Sequence, residues 1–244
     1  MKMTFLFRVT VALTVLGWLG CGGCGGHLKY TISDSLLADV PLAEKQAMLD
    51  VKDEQAQLQQ IQTQARSEQT VATRDLAAAE AEVRIAQLEI AKTQADVDLA
   101  KSTTDLNRMS RAKARLKVAE LGRSTADTKM EWRKLRVRYS AQKVRVLAQQ
   151  AKYEEARYEQ EKARLAAAKG KRPYENFSLE QFDFQVEEAQ TRWNKERVES
   201  DKLQQALMQT ESHYQQLQYE LAAARSAAPS QAVPPAPPLS TMSQ

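Results

Sequence analysis

Two cysteines, Cys21 and Cys24, and two histidines, His27 and His213, are the scarcest chemically versatile side chains of this 244-residue chain. Cys21-Gly-Gly-Cys24 has the spacing of a redox dithiol, but tuning such thiols needs a folded βαβ frame. Here the cysteines sit in a glycine run (Gly20, Gly22, Gly23, Gly25, Gly26) that supplies none. No cysteine follows residue 24, so the rest of the chain holds no intramolecular disulfide and no thiolate metal site. A lone histidine in a helical stretch, such as His213, is a solvated or seam-edge residue far more often than a catalyst. No nucleophile–base pair can be assembled, and the glycine run lacks the strand and helix of a phosphate loop. The expectation is a chain without catalytic residues, metal or cofactor, and not an enzyme.

The second chemical feature is positive charge. Lysine and arginine number 35 against 31 acidic residues, a formal net of +4. Without Lys2 and Arg8, which belong to a segment expected to be removed, 33 basic residues face 31 acidic ones, a net of +2. Bulk charge therefore gives no argument for nucleic acid. The distribution is uneven, because residues 108–145 hold 13 basic residues against Glu120, Asp127 and Glu131 alone. One reading is a face for anionic lipid, phosphate or an acidic partner, carried by Arg108, Arg111, Arg115, Arg133, Arg136 and Arg138. The other is a solvated helix face, neutralised in part by Glu196, Glu199 and Asp201 across a hairpin near Lys143 and Arg145.

The cysteines gain meaning from what precedes them. Lys2 and Arg8 flank a short start, and Val9 to Leu19 is apolar except for Thr10, Thr14 and Gly17. A basic start, a short apolar run and then small residues describe a secretory signal peptide over 1–20. The run is shorter than the roughly 20 residues that a membrane span needs. Leu19-Gly20-Cys21, a small residue directly before a cysteine, resembles the lipobox of bacterial lipoproteins, although Trp18 stands where that family usually has leucine. The resemblance covers about 21 residues and implies cleavage before Cys21 and acylation of that residue; Cys24 is the alternative. Gly22, not aspartate, follows the cysteine, so the resemblance implies the outer membrane, with the body in the periplasm. A secreted or periplasmic protein, or an inner-membrane one, are the alternatives. Residues 21–40 show no sustained pattern and are expected to form a flexible tether.

The elements that must carry these residues are helices. Between Pro41 and Pro173 there is no proline and only two glycines, Gly122 and Gly170, and residues 174–228 contain neither. A β or mixed domain of this size needs turn residues about every 8–12 positions. The fold class is therefore all-α: a long antiparallel coiled-coil hairpin of two or three long helices. Counting sevens from Leu179 gives Val186, Trp193, Ser200, Leu207, Tyr214 and Leu221, and counting from Phe182 gives a parallel column through Leu203 and Leu217. Such a repeat specifies a coiled-coil seam. Residues 125–168 carry two columns, Met130-Val137-Val144-Ala151-Tyr158-Leu165 and Trp132-Tyr139-Val146-Tyr153, which face nearly opposite ways. That helix needs two neighbours, or one neighbour and a second subunit.

Gly170 suits a C′ position and Pro173 forbids continuation, so residues 169–177 form a hairpin loop before a helix over 178–226 that Ser178 and Gln181 open as a capping box. Residues 41–168 form the preceding helical region, either broken near Gly122 or continuous. Its seam is weaker: Leu88, Ala95, Ser102, Met109 and Leu116 keep a seven-residue column, with Leu99 and Leu106 beside it, and upstream Leu58, Ile61, Ala65, Leu76 and Val83 drift out of register. Residues 227–244, with Val-Pro-Pro-Ala-Pro-Pro, are expected to be a disordered tail. Anchor and rod together suggest a structural spacer or scaffold of a cell-envelope complex. Its partners would be the membrane, other envelope proteins and further copies joined through coiled-coil seams; neither nucleic acid nor a small-molecule substrate is expected. The alternative is a periplasmic adaptor or tunnel-like part of a transport system, whose hairpins residues 151–158 resemble in texture.

Overall fold

The computed structural model describes residues 28–103 and 105–227. The proposed signal peptide, Cys21, Cys24, His27 and the proline-rich tail from residue 228 lie outside the described residues. Three long helices make up the body: α1 Gln46–Ser102, α2 Leu106–Ala168 and α3 Leu179–Ala227, preceded by 3-10 turns at Asp34–Leu37 and Leu42–Lys45. No strand occurs among the described residues. At about 1.5 Å per residue the helices are roughly 86, 95 and 73 Å long. Helix α2 lies between the other two and packs against both.

The two columns of α2 explain that arrangement. Val144 and Ala151 pack on Leu58, Ala65 and Leu147, so the Met130–Leu165 column meets α1. Trp132 and Tyr153 stack on Tyr214 and Trp193, so the other column meets α3. The second neighbour is thus supplied by the same chain. Along α3 both expected heptad columns are buried or half-buried, apart from Leu179 at the helix start.

The seam of α1 is not the expected one. Val51, Leu58, Ala65, Ala72, Ala79, Thr93 and Ala100 are buried at strict sevens, and the second column runs through Gln55, Gln62, Gln69, Leu76, Val83, Ile90 and Val97. Aliphatics (Val51, Leu58, Leu76, Val83, Ile90 and Val97) share these columns with alanines, glutamines and a threonine. Leu88 and Leu99 are 71% and 51% exposed, whereas Met109 and Leu116 pack beside Val97, Ala100 and Ala112. The column that seemed continuous is cut by a turn.

That turn lies between the end of α1 at Ser102 and the start of α2 at Leu106, not at Gly122, through which α2 runs unbroken. Ser102 and Thr103 hydroxyls donate to the carbonyls of Leu99 (2.7 Å) and Ala100 (3.0 Å), closing α1. Asp105 then accepts from the Arg108 amide at 3.0 Å and caps α2. Side chains that compete for backbone hydrogen bonds end one helix and start the next without glycine or proline.

The second turn was legible. Lys171 N–H donates to Ala166 O and Gly170 N–H to Ala167 O, both at 2.9 Å, with Gly170 at φ 65°. This is a Schellman motif with glycine at C′. Helix α3 begins at Leu179, one residue later than expected, and the Gln181 side-chain oxygen accepts from the Tyr174 hydroxyl (3.2 Å) instead of returning to Ser178.

The two glycines therefore have opposite expected responses to alanine. A Cβ on Gly122 would meet only Leu221 Cδ1, at 4.0 Å, an ordinary contact. Gly122→Ala should stabilise the protein by about 0.5–1 kcal/mol, and Gly170→Ala should cost about 1 kcal/mol through its positive φ. Urea unfolding of the two variants checks this; a loss at residue 122 as large as that at residue 170 contradicts the unbroken α2.

Candidate functional site

Three places concentrate polar, aromatic or concave surface. The first is the end of the rod where the chain enters. Residues 28–40 are not a free tether there: Ile32, Leu37 and Val40 are buried with Met48, Ala163, Ala166 and Phe182, the largest apolar cluster among the described residues. Each fully buried aliphatic of this kind contributes about 1.5–3 kcal/mol relative to exposure. Gln185 donates to Tyr30 O (3.1 Å) and accepts from Tyr30 N–H (3.0 Å), replacing a backbone partner on both sides. The Ile32 amide donates to Glu159 at 2.6 Å, and Lys171 donates to Leu36 O at 2.7 Å and pairs with Asp39. Lys169 pairs with Glu44. The segment is a clasp across the base of the α2–α3 hairpin.

At the centre of the clasp, Lys162 is 5% exposed and bridges Asp34 (2.8 Å) and Glu159 (2.9 Å). Burial by itself would lower the pKa of the ammonium, but the hydrogen bonds and charges of Asp34 and Glu159 prevail and hold it above the ordinary lysine value. Asp39, hydrogen-bonded by Lys171, lies below the usual carboxylate range. Glu154 moves the other way: burial raises it despite Arg157 at 2.6 Å.

The second place is the basic stretch. Its main counter-charges come from α1, not from α3. Lys129 pairs with Glu82 (2.6 Å), Arg133 and Arg136 with Asp75 (2.7 and 3.3 Å), and Lys143 with Glu68 (2.7 Å), which draws Glu68 below its ordinary range. The expected approach of Lys143 to Glu196 is made instead by Gln142, which donates to the Glu196 carboxylate (2.6 Å) and carbonyl (3.1 Å). Arg133 also lies over the Trp132 ring at 4.3 Å. The six arginines of the candidate anionic face are thereby divided. Arg133 and Arg136 are held on α1, Arg108 and Arg111 stand exposed near the 103–105 turn, Arg115 borders a groove, and Arg138 is exposed midway along α2.

The third place is that groove, about 700 Å³, open to solvent where all three helices meet. Ala119, Gly122 and Ala126 form its floor, Ile85 and Thr93 one wall, and Tyr214 and Leu221 the other. Its rim mixes Glu82, Glu89 and Asp96 with Lys92, Arg115 and Arg225, so no single sign of charge prevails. His213 is exposed on α3. Among the described residues no group of three or more His, Cys, Asp or Glu is placed to hold a metal ion, and no helix is long and apolar enough to cross a membrane.

The seam between α2 and α3 is registered by two aromatic stacks. Trp132 lies on Tyr214 with centroids 5.6 Å apart and planes at 16°, and Tyr153 lies on Trp193 at 5.3 Å and 24°. From Trp132 to Tyr153 is three heptads, and so is Trp193 to Tyr214. Both stacks therefore demand the same antiparallel register. Both indole N–H groups are buried without a hydrogen-bond partner among the described residues, so packing alone holds the rings. Comparison of the chain with protein-family models, curated proteins and solved structures gives no match.

Two outcomes are expected at the clasp. Lys162→Met leaves Glu159 buried without its cation and should cost about 3 kcal/mol, with part recovered in Lys162→Met/Glu159→Leu; chemical denaturation of both variants measures this. Asp39 has a folded-state pKa below the ordinary 3.8. Its contribution is therefore complete above the unfolded value and is lost as pH falls below about 4. The difference in melting temperature between wild type and Asp39→Asn should be constant above pH 5 and close at lower pH. A gap that persists to pH 2 assigns the effect to something other than the Lys171 pair.

Proposed function

We propose that this protein is a lipid-anchored coiled-coil rod of the bacterial cell envelope, acylated at Cys21, with its body in the periplasm. In this reading it acts as a spacer or scaffold and carries out no catalysis. The observation that carries the reading is the clasp. The described chain enters at residue 28, seven positions after Cys21, and is fixed at once to the base of the α2–α3 hairpin through Tyr30, Ile32 and Asp34. An acyl anchor at Cys21 thus sits a short distance from one rigid end. The 103–105 turn, about 86 Å away along α1, is carried to the far end. A free tether would leave the direction of the rod undetermined; a clasped one sets which end faces the membrane.

A second reading, an adaptor-like component of a transport or export system, is favoured by the far end. The α2–α3 register brings the end of α3, Ala227, level with about residue 119, so among the described residues the first turns of α2 continue with α1 alone. The result is a two-helix tip bearing the exposed Arg108 and Arg111, a shape suited to docking against another envelope protein.

Radiolabelled palmitate should enter the wild type and Cys24→Ser but not Cys21→Ser, and Cys21→Ser should leave the membrane fraction. Wild-type protein that takes up no label sinks the anchor. Co-purification with an outer-membrane channel or pump, with loss of export in a deletion strain, selects the second reading over the first.

A further inference from the structure

Helix α1 carries a second heptad seam that nothing among the described residues covers. Ile85, Leu88, Lys92, Ala95, Leu99 and Ser102 follow one another at alternating spacings of three and four. All are exposed, Ile85 at 66% and Leu88 at 71%. Leu88, Ala95, Leu99 and Ser102 fall on the side of α1 away from the buried column of Val83, Thr93, Val97 and Ala100, while Ile85 and Lys92 stand where that face meets the edge of the three-helix groove. Upstream, Val71, 44% exposed, continues the same face. A merely solvated helix face has no reason to keep large aliphatics at 3.5-residue spacing, whereas a second coiled-coil interface requires it.

We propose that this face binds the same face of a second copy of the chain, in antiparallel orientation, about a two-fold axis between residues 92 and 95. The side chains are complementary in that arrangement. Ile85 of one copy lies opposite Ser102 of the other, Leu88 opposite Leu99, and Lys92 opposite Ala95, so large meets small or leucine meets leucine in every layer. Lys92 also comes level with Asp96 of the second copy, which gives its charge a carboxylate. Parallel in-register pairing sets Lys92 against Lys92 and Arg74 against Arg74, and stacks Ala95 on Ala95 with nothing to fill the layer. The contact is isologous, so it closes at two copies. The overlap of 18 residues is about 27 Å long, at the small end of specific interfaces, so the dimer dissociates in the micromolar range. The two rods overlap at their 103–105 ends, and their clasped ends point in opposite directions. This inference is independent of the lipid anchor.

Sedimentation equilibrium of the full chain carrying Cys21→Ser and Cys24→Ser, from 1 to 200 µM, should show the mass doubling with concentration. Leu88→Glu/Leu99→Glu in that background should weaken association by about 100-fold or more. Both positions are exposed, so its circular dichroism should match the parent at equal low concentration. Leu88→Cys protein should oxidise to a disulfide dimer poorly by itself and efficiently when mixed with Leu99→Cys protein. A monomer throughout the range overturns the proposal, as does a dimer indifferent to the double glutamate variant. Efficient self-linking of Leu88→Cys without linking in the mixture overturns the antiparallel arrangement.

Discussion

The molecule depends on one helix having to bury two opposite faces. Residues two apart on α2 point about 200° away from each other, and both of its columns contain side chains too large to leave in water. One neighbour cannot cover both. Helix α1 takes the Val144–Ala151 side and α3 takes the Trp132–Tyr153 side. Among the described residues neither outer helix has a comparable partner besides α2, so each would be marginal without it: long helices with narrow apolar stripes owe most of their stability to tertiary packing.

The two seams solve different problems. Between α2 and α3, two tryptophan–tyrosine stacks three heptads apart specify the register, because a shift by one heptad would break both at once. Helix α1 holds no aromatic residue, and alanines and glutamines share its seam with scattered aliphatics, so charge takes over much of the specifying role against α2. Lys129, Arg133, Arg136 and Lys143 meet Glu82, Asp75 and Glu68 at matching heights. Partly exposed pairs of this kind contribute modestly to stability, about 0–1 kcal/mol each. They discriminate well between alternative registers, however, because a slipped pairing brings like charges together. The basic stretch is thus in good part the complement of an acidic strip some 50 to 75 residues upstream.

The clasp gives the rod distinct ends. A chain that met the hairpin through a flexible segment would transmit no orientation to it. Here the buried Lys162 with Glu159 and Asp34, and the double hydrogen bond of Gln185 to Tyr30, hold the entering backbone against the hairpin base. Among the described residues the opposite end has no such cover and thins to two helices, and there the exposed arginines and the exposed aliphatic face of α1 come together.

What could be read from the residues alone was whatever has a local or strictly periodic cause. The absence of glycine and proline excluded sheets, the large residues at sevens defined α3, the opposed columns of α2 required two neighbours, and Gly170 with Pro173 placed the hairpin turn. The features that could not be read are those whose cause lies far away in sequence. The seam of α1 mixes scattered aliphatics with alanine and glutamine, which look like ordinary helix surface until α2 is known to lie against them. The leucines that looked like its seam are on the outside. The 103–105 turn ends a helix by side-chain capping instead of by a breaker residue, so its signal is no stronger than that of many polar stretches that remain helical, including the one at Gly122. The burial of residues 28–40 depends on a surface that exists only after α2 and α3 have paired. Periodicity determines that a helix must be covered and on which sides; only the tertiary structure decides what covers it, because that choice is made by size and charge matched across tens of residues.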